Sequence, residues 1–384
     1  MNLSTNPSLH LAVVLDQAGS HPAAATEPDG PGDHGLHARY WIDCFTLAQR
    51  GGLDLVTIED SQGLVPAAAE AAPPGHGRLD AVTIACRVAP ATRHVGIVPM
   101  ASTSLTEPFL VSSQIATLDY VSGGRADWEV DVTTAPGAAA YVGPRHVPTG
   151  EALFAEAAEH VDAVRRLWDS WDDGAEIRDT ATQRFIDRDR VHHIDFEGQG
   201  FRIRGPSITP RPPQGQPIVA TLVDSDRGQA LAASSADVAF LAATDEAALR
   251  RRADAVRCAA AAAGRDPAQM RLLADVDVVL HPDPGAATER RARLDARTPR
   301  VTGRDRFGFT GSAAQLADRL LEWSALGIDG FRFRPAAVLV DLPQIAGPCV
   351  EAFRARGARR DANQETTLRG RLGLPRPASR YAIA

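Results

Sequence analysis

The chain has 384 residues, with 41 Lys plus Arg against 48 Asp plus Glu, a formal net charge of −7, and 44% hydrophobic residues. That length accommodates one large α/β core, and the acidic balance, without any Lys- or Arg-rich block, gives no reason to expect a nucleic-acid partner. No apolar run is long enough to span a bilayer, and the start MNLSTNPSLH lacks the regions of a signal peptide, so a cytoplasmic protein without membrane contact is expected.

Strand-like segments fall at Leu9–Leu15, Asp54–Asp60, His94–Ser102, Arg125–Thr133, Gln216–Ser225, Asp237–Ala243, Arg271–Leu280 and Gly330–Pro335, each followed by a helical pattern. This is the alternation of a parallel sheet built from βα units, and eight such units close most simply as a (β/α)8 TIM barrel. One domain over residues 1–384 is expected, with residues 360–384 as a C-terminal tail. His21–Leu36, Asp172–Gly215 and His281–Phe309, after strands one, four and seven, do not fit the repeat. Loops that long in a compact domain are usually lids or binding loops, so 172–215 is expected to fold over the barrel mouth.

The helix after strand three carries Phe109, Leu110, Ile115 and Leu118 at helical spacing and should stop at Ser122-Gly123-Gly124-Arg125, where glycine accepts a left-handed cap. The four cysteines, Cys44, Cys86, Cys258 and Cys349, lie far apart in apolar helical contexts and read as buried free thiols.

Barrel sites gather at the C-terminal strand ends. Asp127, Glu129 and Asp131 alternate on strand four and so share one face. Directed inward near Asp60, they form a carboxylate cluster able to divide into an acid and a base or to bind a cation; alternatively Asp127 pairs with Arg125. In Phe331-Arg332-Phe333-Arg334 the two arginines share a face, and the outward orientation is favoured over an inward one that would hold an anion. His21, after strand one, is a candidate proton donor or a turn-stabilising residue. His192-His193-x-Asp195 has a spacing that metals tolerate, and the metal reading is the minor one.

The phrase Thr117-Leu118-Asp119-Tyr120-Val121-Ser122-Gly123-Gly124-Arg125-Ala126-Asp127-Trp128-Glu129 resembles the luciferase-like monooxygenases, in the branch of nitrilotriacetate monooxygenase. Arg50-Gly51-Gly52-Leu53-Asp54, the insertion motif Val191–Pro206 and the tail Thr367-Leu368-Arg369-Gly370-Arg371-Leu372-Gly373-Leu374-Pro375 extend the likeness over nearly the whole chain. The resemblance implies a barrel that takes reduced FMN from a separate flavin reductase and inserts one oxygen atom into a small organic substrate, commonly as a dimer. It places flavin contacts at Asp60, at Thr103 or Ser104, and at Ser225. It also exposes departures: Glu129 replaces an asparagine, Gly150 and Phe154 replace a histidine and a tyrosine, Ala25-Thr26 replaces a Trp-Arg pair, and Asp224-Ser225-Asp226 replaces a Gly-Ser-Ser phosphate turn. Tyr141 and His146 are candidate substitutes for the lost pair.

The expected activity is therefore an FMN-dependent monooxygenase with Glu129, Asp131 and His21 as catalytic candidates. Two alternatives stay open: a barrel using strand-end carboxylates for acid–base or metal-assisted chemistry without flavin, and a non-catalytic family member.

Overall fold

The computed structural model describes residues 8–27, 35–60, 77–133, 147–297, 306–359 and 365–381. Its barrel is built from β1 (His10–Leu15), β2 (Leu55–Ile58), β3 (Gly96–Ser102), β4 (Asp127–Asp131), β9 (Ile218–Val223), β10 (Val238–Leu241), β11 (Arg271–Leu280) and β13 (Gly330–Pro335). All pair in parallel in that order, and β13 closes on β1 with Ala12 opposite Arg332. All eight strands expected from the alternation are present. A Cβ at Gly330 would lie 2.0 Å from the His10 carbonyl oxygen, so only glycine permits this closing contact.

β11 shows how alternation sorts side chains. Leu272, Ala274, Val276 and Val278 join the layer between barrel and helices, whereas Leu273 lies with Ala12, Leu55, Val98, Ala220 and Phe240 in the barrel interior. Asp275 and Asp277 share the parity of Leu273. A ninth parallel strand, β12 (Phe307–Gly311), begins at the end of the irregular stretch His281–Phe309. It takes over the edge of β11 at Val276–Leu280, above the Arg271–Ala274 portion paired with β10. The same stretch also holds the helix Pro284–Arg297. Its Arg and Asp content hides a short strand with a sparse apolar pattern.

The helix Pro108–Ser122 ends on Gly123 at φ +68°, as its glycine pair implies. Leu110 is not part of its buried face; it is half exposed, while Val111, Ile115 and Leu118 are buried. Only Cys44 and Cys349 are buried: Cys86 is half-buried and Cys258 exposed, because the face of the long helix Glu246–Ala262 that carries Cys258 turns to solvent.

The 172–215 insertion corrects the lid expectation. It forms two hairpins, β5 (Glu176–Asp179) with β6 (Arg184–Ile186) and β7 (Phe196–Glu197) with β8 (Arg202–Ile203). Ile194 and Phe196 pack on Ala163 and Leu167 of the helix Glu151–Asp169, along the flank of the barrel. The segment then returns beneath β4, where the Gln214 side chain donates to Asp119 (2.8 Å) and to the Ala126 carbonyl (2.7 Å). The tail closes the same end: Leu368, Leu372 and Leu374 enter the interior cluster, each contributing about 1.5–3 kcal/mol of apolar burial. Among the described residues no helix is long and apolar enough to cross a membrane.

Candidate active site at the barrel mouth

Parallel strands bring their C-terminal ends to one side, and with them Asp16, Glu59, Asp60, Ser102, Thr103, Ser104, Asp131 and Asp224. Below this rim the interior is ionic. Arg332 points inward, contrary to the outward reading, and lies within a 3.5 Å cation–π contact of the Phe240 ring centroid. Its Nε and Nη2 donate to Asp275 (2.6 and 2.8 Å), and its Nη1 donates to both oxygens of Glu129 (2.9 and 2.8 Å). Arg334, one layer higher, donates to both oxygens of Glu59 (2.8 Å each) and lies 3.4 Å from Asp277. Arg306 lies 3.3 Å from Asp275. The phenylalanines between the arginines face the helices instead, Phe331 packing near Phe353.

Glu129 is thus inward, as its strand position implies, but its near neighbour is a guanidinium and not another carboxylate. Burial pushes its carboxyl up and Arg332 opposes that. Asp275 is pushed up by burial too, yet Arg332 and Arg306 outweigh this and hold it below the ordinary range. Asp131 is half-buried at the rim: its backbone oxygen accepts from the Thr103 amide (2.9 Å) and hydroxyl (3.0 Å), and its carboxylate accepts from Thr133. Asp127 lies at the opposite end of the strand and does not pair with Arg125. Its Oδ1 accepts from the Ile218 amide (3.1 Å), its Oδ2 has no partner among the described residues, and burial raises its carboxyl strongly. Arg125 instead donates to the carbonyls of Ser122, Val95, Ala89 and Thr92.

The ligand candidates divide. Thr103 is engaged with Asp131, and Asp60 accepts from the Ala81 amide (2.9 Å) at the start of the next helix. Ser104 differs: it is 2% exposed and its hydroxyl has no partner among the described residues, which leaves a donor and acceptor for a bound group at the strand end. Ser225 caps the helix Asp226–Ser235, its hydroxyl accepting from the Gly228 amide (3.2 Å). His21 stands at the mouth end but is committed on both nitrogens. Nδ1 accepts from the Ala23 amide (3.1 Å), which leaves the proton of a neutral ring on Nε2, 3.1 Å from Asp295. This bonding is that of a turn-stabilising residue.

Gly150 begins the helix Glu151–Asp169 at φ +62°, ψ −131°, and Phe154 packs half-buried against the cluster around Trp128. A histidine at position 150 would be strained on this backbone. Tyr141 and His146 lie outside the described residues. His192 is bonded to Asp172 (3.0 Å) and His193 to the Gly205 carbonyl (2.8 Å) on the flank, away from the mouth. Among the described residues no three His, Cys, Asp or Glu side chains are placed to hold a metal ion.

Sequence reasoning missed Asp16, Glu59, Asp275 and Asp277. Asp16 pairs with Arg78 (3.0 Å), and burial, aided by Glu59, pushes its carboxyl up to about 6 against Arg78. The aspartates of β11 were findable: Asp275-x-Asp277 on one strand complements Arg332-x-Arg334 on the next, in direct register.

A closed parallel barrel with polar groups gathered at its C-terminal rim defines the class of (β/α)8 barrel enzymes. Residues 15–330 match the family described as luciferase-like monooxygenase, and the chain belongs to it. It is 28% identical to N-acetyl-S-(2-succino)cysteine monooxygenase of Bacillus subtilis (strain 168), with 99% of each chain covered. It is 26% identical to the A component of nitrilotriacetate monooxygenase of Aminobacter aminovorans, again with 99% of each chain covered. Among solved structures, EDTA monooxygenase from Chelativorans sp. BNC1 superimposes with a TM-score of 0.84 at 24% identity, covering 96% of this chain and 99% of that one.

For reduced FMN the fit differs between the two ends of the group. The rim at Ser102–Ser104 fits the polar edge of a flavin ring, since a buried hydroxyl awaits a partner there. The turn at Asp224-Ser225-Asp226 does not fit a phosphate dianion, because two carboxylates flank the helix start that would otherwise favour an anion.

Proposed function

We propose that this protein is a flavin-dependent monooxygenase that takes reduced FMN from a separate reductase and oxidises a small organic substrate in the cytoplasm, in keeping with the names of its full-length relatives. The observation that carries the reading is the Ser104 hydroxyl at the end of β3, buried at the rim, without a partner among the described residues, and at one of the two positions, Thr103 or Ser104, where the resemblance implies a flavin contact. Reduced FMN, when bound, supplies the oxygen-activating chemistry. The chain's own contribution is to seat the ring against Ser104 and to carry Asp16, whose carboxyl at about 6 can exchange a proton near neutral pH. Glu129 has a supporting part, holding Arg332 beneath the site.

A second reading is favoured by Asp224 and Asp226: a barrel that works without flavin through its rim carboxylates, with Asp16 as acid or base. Anaerobic titration of the protein with reduced FMN, followed by oxygen uptake in the presence of a flavin reductase, separates the two. Saturable binding with protein-dependent oxygen uptake supports the monooxygenase; absence of binding removes it and leaves the second reading.

A further inference from the structure

At the end of the barrel opposite the mouth lies a cavity of about 360 Å³, walled by Leu9, His10, Arg271, Ile328, Asp329 and Arg371. This volume is at the lower end of small-molecule sites. Its charges do not cancel. Asp329 accepts from the Leu272 amide (2.8 Å) and from Arg257 (3.3 Å), and neighbouring Asp54 accepts from Arg359 (2.7 Å) and the Leu11 amide (2.7 Å), so each carboxylate already has its own guanidinium. Neither Arg271 nor Arg371 makes a salt bridge among the described residues, and Arg371 is attracted only at longer range, by Asp54 and Asp127. Arg271 donates to the carbonyls of Ala268, Met270, Leu372 and Gly373, which satisfy its hydrogen bonds without a carboxylate partner among the described residues. Arg371 has Nε and Nη2 buried without an acceptor among the described residues. Burial also holds the His10 imidazole below its ordinary range, neutral at pH 7.

An unpaired guanidinium at a cavity wall is costly to keep unless something meets it, because a donor removed from water loses its hydrogen bonds. We propose that this cavity binds a small organic anion, its phosphate or carboxylate group on Arg371 and Arg271 and a short apolar body against Leu9, Ile328 and Leu372. The site is distinct from the mouth and shares no residue with it, so it stands whether or not flavin binds there.

The test is calorimetry and thermal unfolding of the full chain with inorganic phosphate and with butyrate, against sodium chloride at matched ionic strength. Saturable binding of either anion with a rise in Tm is expected; phosphate alone identifies a phosphate-bearing ligand and butyrate alone a carboxylate. Arg371→Met should weaken that binding at least tenfold. Since Arg371 has no hydrogen bond or salt bridge to lose among the described residues, and only longer-range attraction to Asp54 and Asp127, the ligand-free variant should melt close to the parent. Absence of saturable binding by both anions, unchanged affinity in Arg371→Met, or a ligand-free variant with a lowered Tm would each overturn the proposal.

Discussion

Arg332 stands directly opposite Asp275 in the register of β13 on β11 and reaches across the barrel to Glu129, so one guanidinium joins two carboxylates from separate strands. All three side chains are almost fully buried. Breaking such a group by removing one partner leaves an uncompensated interior charge, which ordinarily costs about 3–5 kcal/mol. Glu129→Gln should therefore destabilise by about 3 kcal/mol, the lower end, because Asp275 still neutralises Arg332. Glu129→Gln combined with Arg332→Met should recover part of that loss. Urea unfolding checks both; a single variant within about 0.5 kcal/mol of the parent would show that the pair is not structural.

The barrel was legible because parallel strands flanked by helices produce apolar runs of strand length separated by helical spacing, and each of the eight runs is a strand. The interior was less so. Side-chain parity placed Glu129 inward, but whether Arg332 faced in or out depends on which residues face it from β4 and β11, and pairing between strands far apart in sequence is not written in either strand alone. His21 was placed at the proper end of its strand, whereas its engagement by Asp295, 274 positions away, is tertiary information. Asp60, Thr103 and Ser104 looked equivalent until the hydrogen bonds showed that only the last keeps its hydroxyl uncommitted among the described residues.

Asp16 gives a pH signature. Its carboxyl is raised in the folded protein to about 6, so the proton is held more tightly folded than unfolded. The associated stability is fully present below the unfolded value of about 4 and is lost as pH rises through about 6. Asp16→Asn should flatten the fall in Tm across that window and also remove a limb near pH 6 from the activity profile. An unaltered Tm profile in the variant would show that Asp16 does not titrate there.

Ser104→Ala separates a ligand contact from a structural one. Nothing described in the protein bonds that hydroxyl, so its loss should leave the unfolding midpoint unchanged while weakening reduced-FMN binding by about 1 kcal/mol, roughly fivefold. A parallel fall in stability would assign the hydroxyl to the fold, and unchanged affinity would place the flavin elsewhere.

The phosphate end supplies the last prediction. The helix Asp226–Ser235 offers amides at its start, and Asp224 and Asp226 set two carboxylates beside them. A phosphate dianion then gains from the helix dipole and loses to like charge at similar range. FMN and riboflavin in their reduced forms should accordingly bind within about threefold of each other, under about 1 kcal/mol. Asp224→Ser removes one of the opposing charges and should tighten FMN at least about tenfold, or roughly 1.4 kcal/mol, without changing riboflavin. Because the opposition is electrostatic at a solvent-accessible rim, the gain should shrink as salt is raised. Anaerobic titrations of both flavins with the parent and the variant decide it: a parent that prefers FMN by orders of magnitude would mean that the phosphate lies away from Asp224.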